Sequence, residues 1–207
     1  MREILLSLAV SVIAYLLGCF STGITLSRAM GVDIRTKGSK NTGASNVLRV
    51  LGLKSGVVTF LGDFFKAALA CLIGGWLLPG TVFGIERFGV MLAGLFAVIG
   101  HNWPVFYGFK GGKGVACSAA VVFLVQPLWG ILAILIAVAV IAATRFISLG
   151  SMLLLGSYMV FMCIDHWGEW FTCLFTAVLF VMCVWRHRTN IQRLLSGTEN
   201  KIGQKAK

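Results

Sequence analysis

The chain has 207 residues, of which 58% are hydrophobic and only 12% are charged, and its mean hydropathy is +0.91. A soluble domain of this size does not need so much apolar surface, so the composition excludes a soluble globular protein and predicts an integral membrane protein. The formal net charge is +11. Because the basic residues lie between apolar segments without interleaved aromatic residues, we expect membrane lipids and an anionic substrate as partners, and no nucleic acid.

The first predicted membrane span covers residues 4–26, close to the ~20 residues that a bilayer core requires. It lacks an A-x-A-like cleavage site, so we interpret it as a helix and not as a removed signal peptide. A polar block follows over residues 27–54, with six Lys or Arg residues and a single acidic one, Asp33. Within it the motif GSKNTGASNVLRVLG, residues 38–52, predicts a loop of small polar residues with a helix starting near Ala44.

The second predicted span covers residues 55–78 and ends in a turn at Pro79-Gly80. Asp63 and Lys66 lie three residues apart within it, so they share a helix face and can pair. Charged side chains inside a membrane are costly, which favours a functional role for this pair. A structural ion pair near the helix end is an equally good interpretation.

A glycine-rich stretch, HNWPVFYGFKGGKGVAC over residues 101–117, follows a shorter apolar segment at residues 87–99. Glycines let the backbone turn its N–H groups inward, and such a turn at a helix N-terminus forms a concave anion site to which lysines add full charge. We therefore predict a phosphate cradle at the membrane surface, although it lacks the GxxxxGK[ST] pattern of nucleotide-binding loops. The alternative is a basic, flexible loop between two membrane helices. The predicted cradle consists of Lys110, Gly111, Gly112, Lys113 and Gly114.

The C-terminal half contains further apolar segments, at residues 115–143, 152–163 and 170–185. The first of them is interrupted at Gln126-Pro127, which predicts two short helices, while one long kinked helix is the alternative. Residues 144–151 are predicted to form a brief polar interruption. The basic tail begins at Arg186, and the helical spacing of its apolar residues predicts a short amphipathic helix on the membrane surface.

The distribution of basic residues predicts the orientation in the membrane. Seven crossings would place residues 27–54, residues 101–115, residues 144–151 and the tail on one face, together with fifteen of the eighteen Lys and Arg residues. By the positive-inside rule that face is cytoplasmic and the N-terminus lies outside. We therefore predict an all-α integral membrane protein with about seven transmembrane helices, formed by a single domain over residues 1–207.

The polar residues expected on the cytoplasmic face are cations and hydrogen-bond donors, with almost no carboxylate. Such a set suits a phosphorylated ligand, and acyl transfer between two phosphate-bearing molecules fits it, because cations position both anions and stabilise charge developing at the carbonyl. The candidates are Ser39, Asn41, Asn46, Arg49, Lys110, Lys113, Arg145, Ser148, Ser151, His187 and Asn190.

Three motifs in this order, GSKNTGASNVLRVLG, GHNWPVFYGFKGGKGVAC and RHRTNIQRLLSG, resemble those of the acyl-phosphate:glycerol-3-phosphate acyltransferase family of bacterial membranes. The resemblance implies transfer of a fatty acyl group from acyl phosphate to the 1-position of glycerol 3-phosphate, giving lysophosphatidic acid, the first step of phospholipid biosynthesis. It also implies a compact bundle of seven helices in the bacterial cytoplasmic (inner) membrane, with the active-site loops facing the cytoplasm. No metal and no cofactor are expected.

The resemblance also assigns roles to individual residues. By position, Ser39, Arg49 and Lys110 are expected to be catalytic. Substrate binding is expected from Asn41, Gly111, Gly112, Lys113, Gly114, Ser148, Ser151, His187 and Asn190. For the proton of the glycerol hydroxyl, either His187 acts as general base or a substrate phosphate accepts it, as the resemblance favours. His101 is expected to order its loop as a hydrogen-bond donor.

Six cysteines show no CxxC spacing and fall mostly within apolar runs, so we expect small buried hydrophobic residues and neither a disulfide framework nor a metal site. Cys117 departs from the family motif, which usually has threonine there. Two other functions remain as alternatives. One is a small transporter for an organic anion, which predicts an internal repeat that we do not find in the sequence. The other is a scaffold protein with a lipid-attracting basic face.

Overall fold

The computed structural model describes residues 1–204 and confirms an all-helical protein; ten α-helices and one short β-hairpin are found within these residues. Lys205 and Lys207, two of the tail cations, lie outside the described residues. The helices are α1 (Arg2–Cys19), α2 (Thr22–Ala29), α3 (Ala44–Leu51), α4 (Leu53–Leu77), α5 (Phe88–Asn102), α6 (Val115–Val125), α7 (Pro127–Thr144), α8 (Ile147–Asp165), α9 (Trp170–Arg186) and α10 (Arg188–Leu195).

The chain divides into two compact units, residues 1–121 and residues 122–204, and each is described by itself. The prediction of one domain over residues 1–207 stays a prediction. Five helical segments are long and apolar enough to cross a membrane, or six if α9 and α10, which are bent by 61°, form one span. The count of seven crossings and the outside position of the N-terminus also stay predictions.

In the first unit, the predicted span over residues 4–26 lies within a segment, residues 2–29, that is long and apolar enough to cross a membrane, but this segment is formed by two helices, α1 and α2. Phe20 is extended, with φ −65° and ψ 124°, and Ser21 then caps α2 by accepting a hydrogen bond from the Ile24 N–H through its hydroxyl. The serine side chain competes with the helical hydrogen-bond pattern and starts a new helix. The break leaves the Phe20 carbonyl at a helix end, where it needs a donor from elsewhere.

Close backbone contacts pack the long helices of this unit. A Cβ atom at Gly18 of α1 would collide with the carbonyl of Ala97 on α5, and one at Gly100 of α5 would collide with the carbonyl of Tyr15. Small residues at such interfaces let helices approach closely, which is how apolar helices gain van der Waals contact inside a membrane. The α1–α5 contact thereby fixes the end of α5, from which the glycine-rich stretch starts.

Between α4 and α5 the predicted turn at Pro79-Gly80 is extended into a small hairpin. Strand β1 (Thr81–Val82) pairs antiparallel with β2 (Ile85–Glu86). Phe83 and Gly84 between them both have positive φ, 53° and 76°, as expected for the tight turn of a two-residue hairpin.

In the second unit, the predicted break at Gln126-Pro127 is confirmed, since α7 begins at the proline, whose missing N–H costs nothing there. The predicted polar interruption at residues 144–151 is wrong for most of its length, because α8 begins at Ile147. Serine fits this helix: the Ser151 hydroxyl donates to the Ile147 carbonyl one turn back at 2.8 Å. The predicted tail helix is confirmed as α10.

Candidate active site

The first motif folds around Asn46, a buried residue on α3. Its Oδ1 accepts a hydrogen bond from the Ser39 N–H at 2.9 Å, and its Nδ2 donates to the carbonyls of Lys37 at 3.1 Å and Asn41 at 2.9 Å. One side chain thus fixes three points of the loop. Ser39 itself is exposed, so the loop presents its hydroxyl outward on a fixed backbone.

Two further residues of the motif are held in place locally. Asn41 accepts a hydrogen bond from the Gly43 N–H at 2.9 Å, which closes an Asx turn before α3. Arg49 lies one turn after Ser45 on α3, and its Nη2 donates to the Ser45 hydroxyl at 3.3 Å. The Arg49 residue is half-buried.

The glycine-rich stretch forms a tight turn between α5 and α6. The Gly112 N–H donates to the His101 carbonyl at 3.0 Å, which folds the turn back onto the end of α5. A Cβ atom at Gly112 would collide with the His101 ring, and one at Gly111 with the His101 carbonyl. Glycine is therefore required by close approach, and Gly114, with φ +78°, is required by its conformation as well.

This turn ends where a helix begins, which fits the predicted anion site. Helix α6 starts at Val115, directly after Gly114, so the positive end of its dipole lies at the turn. Lys110 is exposed and Lys113 is half-buried beside it. Two ammonium groups, a helix N-terminus and a turn free of side chains over Gly111 and Gly112 form an arrangement suited to a phosphate group.

Behind the turn, the predicted Asp63–Lys66 pair is confirmed, with Lys66 Nζ 2.9 Å from Asp63 Oδ1. A third group, His101, joins them, and no sequence pattern indicated it: its Nδ1 lies 3.0 Å from Lys66 Nζ and 3.7 Å from Asp63 Oδ1. All three side chains are buried. Cys117 is close by and donates from its thiol to the Asp63 carbonyl at 3.2 Å, so its sulfur faces α4.

In the second unit, Ser148 and Asn190 meet at one carboxylate, that of Glu199. The Ser148 hydroxyl donates to Oε1 at 2.8 Å, Asn190 Nδ2 donates to the same oxygen at 2.6 Å, and Arg193 Nε donates to Oε2 at 2.8 Å. Burial alone would raise the pKa of Glu199, but the hydrogen bonds from Arg193, Asn190 and Ser148 outweigh it and hold that pKa below its usual value.

Sequence reasoning missed Glu199. It is the one acidic residue of the chain after Arg186, and a lone carboxylate in a strongly basic tail was the signal that could have found it. Because it accepts from both Ser148 and Asn190, the carboxylate fixes the orientation of two predicted substrate-binding side chains.

His187 and Ser151 both form hydrogen bonds with Cys183 on α9. His187 Nδ1 lies 2.9 Å from the Cys183 carbonyl, and the Cys183 thiol donates to the Ser151 carbonyl at 3.8 Å. Because a carbonyl can only accept, Nδ1 carries a hydrogen and donates it to this carbonyl. The ring is almost fully buried, at 2% exposure, where α9 gives way to α10.

The predicted residues thus gather in separate groups within each unit. In the first unit they lie on the Asn46 loop with α3 and on the glycine-rich turn; in the second they surround Glu199 and Cys183. That the three motifs form one site stays a prediction. Among residues 1–204, no group of three or more His, Cys, Asp or Glu side chains is arranged to hold a metal ion.

Comparison with known proteins identifies close relatives. The sequence model of the family described as glycerol-3-phosphate acyltransferase matches residues 8–197. A glycerol-3-phosphate acyltransferase of Thermoanaerobacter pseudethanolicus is 43% identical over 196 residues, covering 94% of this chain and 95% of that protein.

Two solved structures have the same fold. The crystal structure of PlsY, an integral membrane glycerol 3-phosphate acyltransferase, in its glycerol 3-phosphate form has a TM-score of 0.87 at 38% identity, covering 95% of this chain and 96% of that one. Its lysophosphatidic acid form has a TM-score of 0.83 at 36% identity, with 95% of each chain covered.

Proposed function

This chain belongs to the glycerol-3-phosphate acyltransferase family, and on that premise we propose that it transfers a fatty acyl group from acyl phosphate to the sn-1 hydroxyl of glycerol 3-phosphate, releasing lysophosphatidic acid and phosphate. The observation that carries the proposal is the turn over residues 110–114, where two lysines and the N-terminus of α6 surround a backbone without side chains. A related structure contains glycerol 3-phosphate, and another is a lysophosphatidic acid form.

The proposed roles follow the geometry. Lys110 and Lys113 with Gly111, Gly112 and Gly114 bind a phosphate group. Arg49 offers a planar fork suited to a second phosphate, while Ser39 and Asn41 orient a substrate beside it. In the second unit the substrate-binding groups are Ser148, Ser151, His187 and Asn190. Two dianionic substrates repel each other, so the chief task of these cations is to hold both at once.

The bond changes are simple. The sn-1 hydroxyl oxygen attacks the acyl carbonyl carbon, the bond from that carbon to the phosphate oxygen breaks, and phosphate leaves with the electron pair. Arg49 and Lys110 stabilise the negative charge that grows on the leaving phosphate and the carbonyl oxygen. The proton of the hydroxyl passes to a substrate phosphate or to His187 as general base.

The proposed location is the bacterial cytoplasmic membrane, with several crossings, the N-terminus outside and the active site facing the cytoplasm. Water-soluble glycerol 3-phosphate would reach the site from the cytoplasm, and the acyl chain would lie among membrane lipids. The charge distribution supports this orientation, because most Lys and Arg residues lie in segments predicted on one face.

The test uses purified protein in detergent or lipid with palmitoyl phosphate and glycerol 3-phosphate. Phosphate release and lysophosphatidate formation should require both substrates, and acyl-CoA should not replace acyl phosphate. Arg49→Ala should abolish most of the rate. Lys54→Ala removes the same charge from an exposed position at the start of α4 and should keep it.

Two outcomes would contradict the proposal. Activity with acyl-CoA in place of acyl phosphate would mean that the donor is wrong. No transfer by well-folded protein would revive the transporter alternative, which predicts uptake of glycerol 3-phosphate into proteoliposomes without any acyl donor.

A further inference from the structure

Lys66 has its full set of hydrogen-bond partners inside the first unit. Its ammonium group donates to Asp63 Oδ1, to the Phe20 carbonyl at the break between α1 and α2, and to His101 Nδ1. An ammonium group has three N–H donors and no acceptor, so these three acceptors match it one for one. With Lys66 charged, this match favours a His101 ring whose Nδ1 carries no hydrogen.

This match favours one tautomer of His101. With its lone pair on Nδ1, the neutral imidazole carries its hydrogen on Nε2. Nε2 is the ring atom nearest to the position that a Cβ atom of Gly112 would occupy. The ring therefore presents an N–H, and not a lone pair, to the glycine-rich turn. Beside a bound phosphate an N–H is favourable, whereas a lone pair would repel the anion.

His101 also holds the turn by its backbone. Its carbonyl accepts the Gly112 N–H at 3.0 Å, and its side chain fills the space beneath Gly112. Any rotation of the ring therefore pushes on the turn directly. The ring is held at its far side by Lys66, which is in turn held by Asp63 and Phe20.

We propose that Asp63, Lys66 and His101 form a buried positioning triad, in which the ion pair fixes the ring and tautomer of His101 so that His101 supports the phosphate-binding turn at Gly112. The inference rests on the proposed function. His101 is a positioning residue here, as are Asp63 and Lys66, because all three act through the turn and none contacts the reacting atoms.

Stability alone is a poor explanation for this cluster. Removing two charges from water costs several kcal/mol per ion, and replacing a buried ion pair by apolar side chains of similar volume is often neutral or stabilising. Within a membrane protein, ionisable residues in the helices usually have functions. In this cluster an N–H of Lys66 is directed at His101, beneath the predicted anion site. Hydrophobic residues at positions 63 and 66 could not supply that function.

The main test is the double variant Asp63→Leu/Lys66→Met, which removes both charges together and keeps the side-chain volumes. We expect it to fold, with a melting temperature lowered by a few degrees at most because the Phe20 carbonyl loses its donor, and to lose the support of His101. The KM for one of the two phosphate-bearing substrates should rise by about tenfold or more, the scale seen when outer hydrogen-bond partners of metal ligands are removed. The KM for the other substrate should stay within about twofold.

A second measurement reports on the tautomer. The chain has only three histidines, so ¹⁵N imidazole spectra can be assigned by comparison with His101→Gln. We expect His101 to carry its hydrogen on Nε2 in the wild type and to lose that preference in the double variant. His101→Gln, which keeps an N–H near the position of Nε2, should retain more activity than His101→Leu.

The outcomes separate this inference from the proposed function. If wild-type protein transfers no acyl group, the proposed function fails. If the wild type is active and the stable double variant keeps both KM values, the triad is only structural and the inference is wrong. If the double variant does not fold, the spectra and the two His101 variants decide, and a hydrogen on Nδ1 in the wild type would overturn the inference.

Discussion

Glu199→Gln offers a sharp test of how the tail supports the second unit. The carboxylate accepts hydrogen bonds from Ser148, Asn190 and Arg193, and its side chain is only 4% exposed. Hydrogen bonds to a charged group contribute about 1.5–3 kcal/mol each. Glutamine keeps one acceptor oxygen but turns an NH₂ group toward one of the three donors, so we expect a loss of about 2–4 kcal/mol in the free energy of unfolding.

The assay is thermal unfolding of the purified protein in detergent, followed by acyl transfer at a temperature where both proteins are folded. For a chain of this size a loss of 1 kcal/mol lowers the melting temperature by about 2–4 °C, so the expected shift is clearly measurable. Glu86→Gln is the matched control. Its carboxylate is 76% exposed and lies 3.7 Å from Arg87, so the same substitution should change little.

The effect of Glu199→Gln should also depend on pH. Because the folded state holds the pKa of Glu199 below its usual value, the carboxylate contributes stability above the unfolded pKa of about 4.3 and loses that contribution as pH falls through the lower folded value. The wild type and the variant should therefore differ most near neutral pH and converge in acid. Equal melting temperatures at pH 7 would refute the reasoning, as would a gap that widens on acidification.

Three further predictions concern the first unit. Gly112→Ala should lower the rate of acyl transfer by about tenfold or more, because the Cβ of the alanine would displace the His101 ring beneath the turn. Steady-state kinetics of the folded variant measure this rate. Asn46→Ala should cost about 1–3 kcal/mol of stability in denaturant unfolding and should also lower activity, since the Ser39 N–H and two carbonyls lose their buried partner. Asp33→Asn should leave the melting temperature unchanged from pH 5 to 8. Hydrogen bonds from Arg35 lower the pKa of Asp33 to about 2, but the pair is exposed. Only strong acid could therefore reveal a contribution of this pair to stability.

These three predictions fail under different results. Full activity of Gly112→Ala would show that the turn tolerates displacement, and Gly156→Ala, where the nearest atoms belong to the ring of Phe180, is its control. An Asn46→Ala protein with wild-type stability would mean that the loop finds other partners. A large drop in melting temperature for Asp33→Asn at neutral pH would show that its ion pair is worth more than its exposure implies.

Local signals made much of the fold predictable from the sequence. Pro127 marks the start of α7, and the helical spacing of apolar residues after Arg186 marks α10, because both depend on residues close in the chain. The break at Ser21 was missed because the apolar run continues past it, although serine is a common helix cap. The start of α8 was missed for the opposite reason: Ser148 and Ser151 look like loop residues, yet a serine hydroxyl can bond within its own helix.

Partners distant in sequence were beyond prediction. The Asp63–Lys66 pair follows from helical spacing alone, but His101, which completes it, lies 35 residues after Lys66. Glu199 lies 51 residues after Ser148, and no periodic pattern connects them. Motifs identified the groups suited to bind phosphate, whereas the groups that orient them became visible only once the helices were packed.

The same division suggests why predicted binding residues and supporting residues occur together within each unit. Three predicted ligand groups contact a buried polar residue: Ser39 contacts Asn46, Gly112 contacts His101, and Asn190 contacts Glu199. A transferase for two phosphate-bearing molecules must hold like charges together, so its donors have to be oriented before the substrates arrive. Flexible lysines and arginines at a membrane surface would not provide that order by themselves. Buried hydrogen bonds beneath them can, because in a medium of low dielectric constant a displaced donor or acceptor is costly.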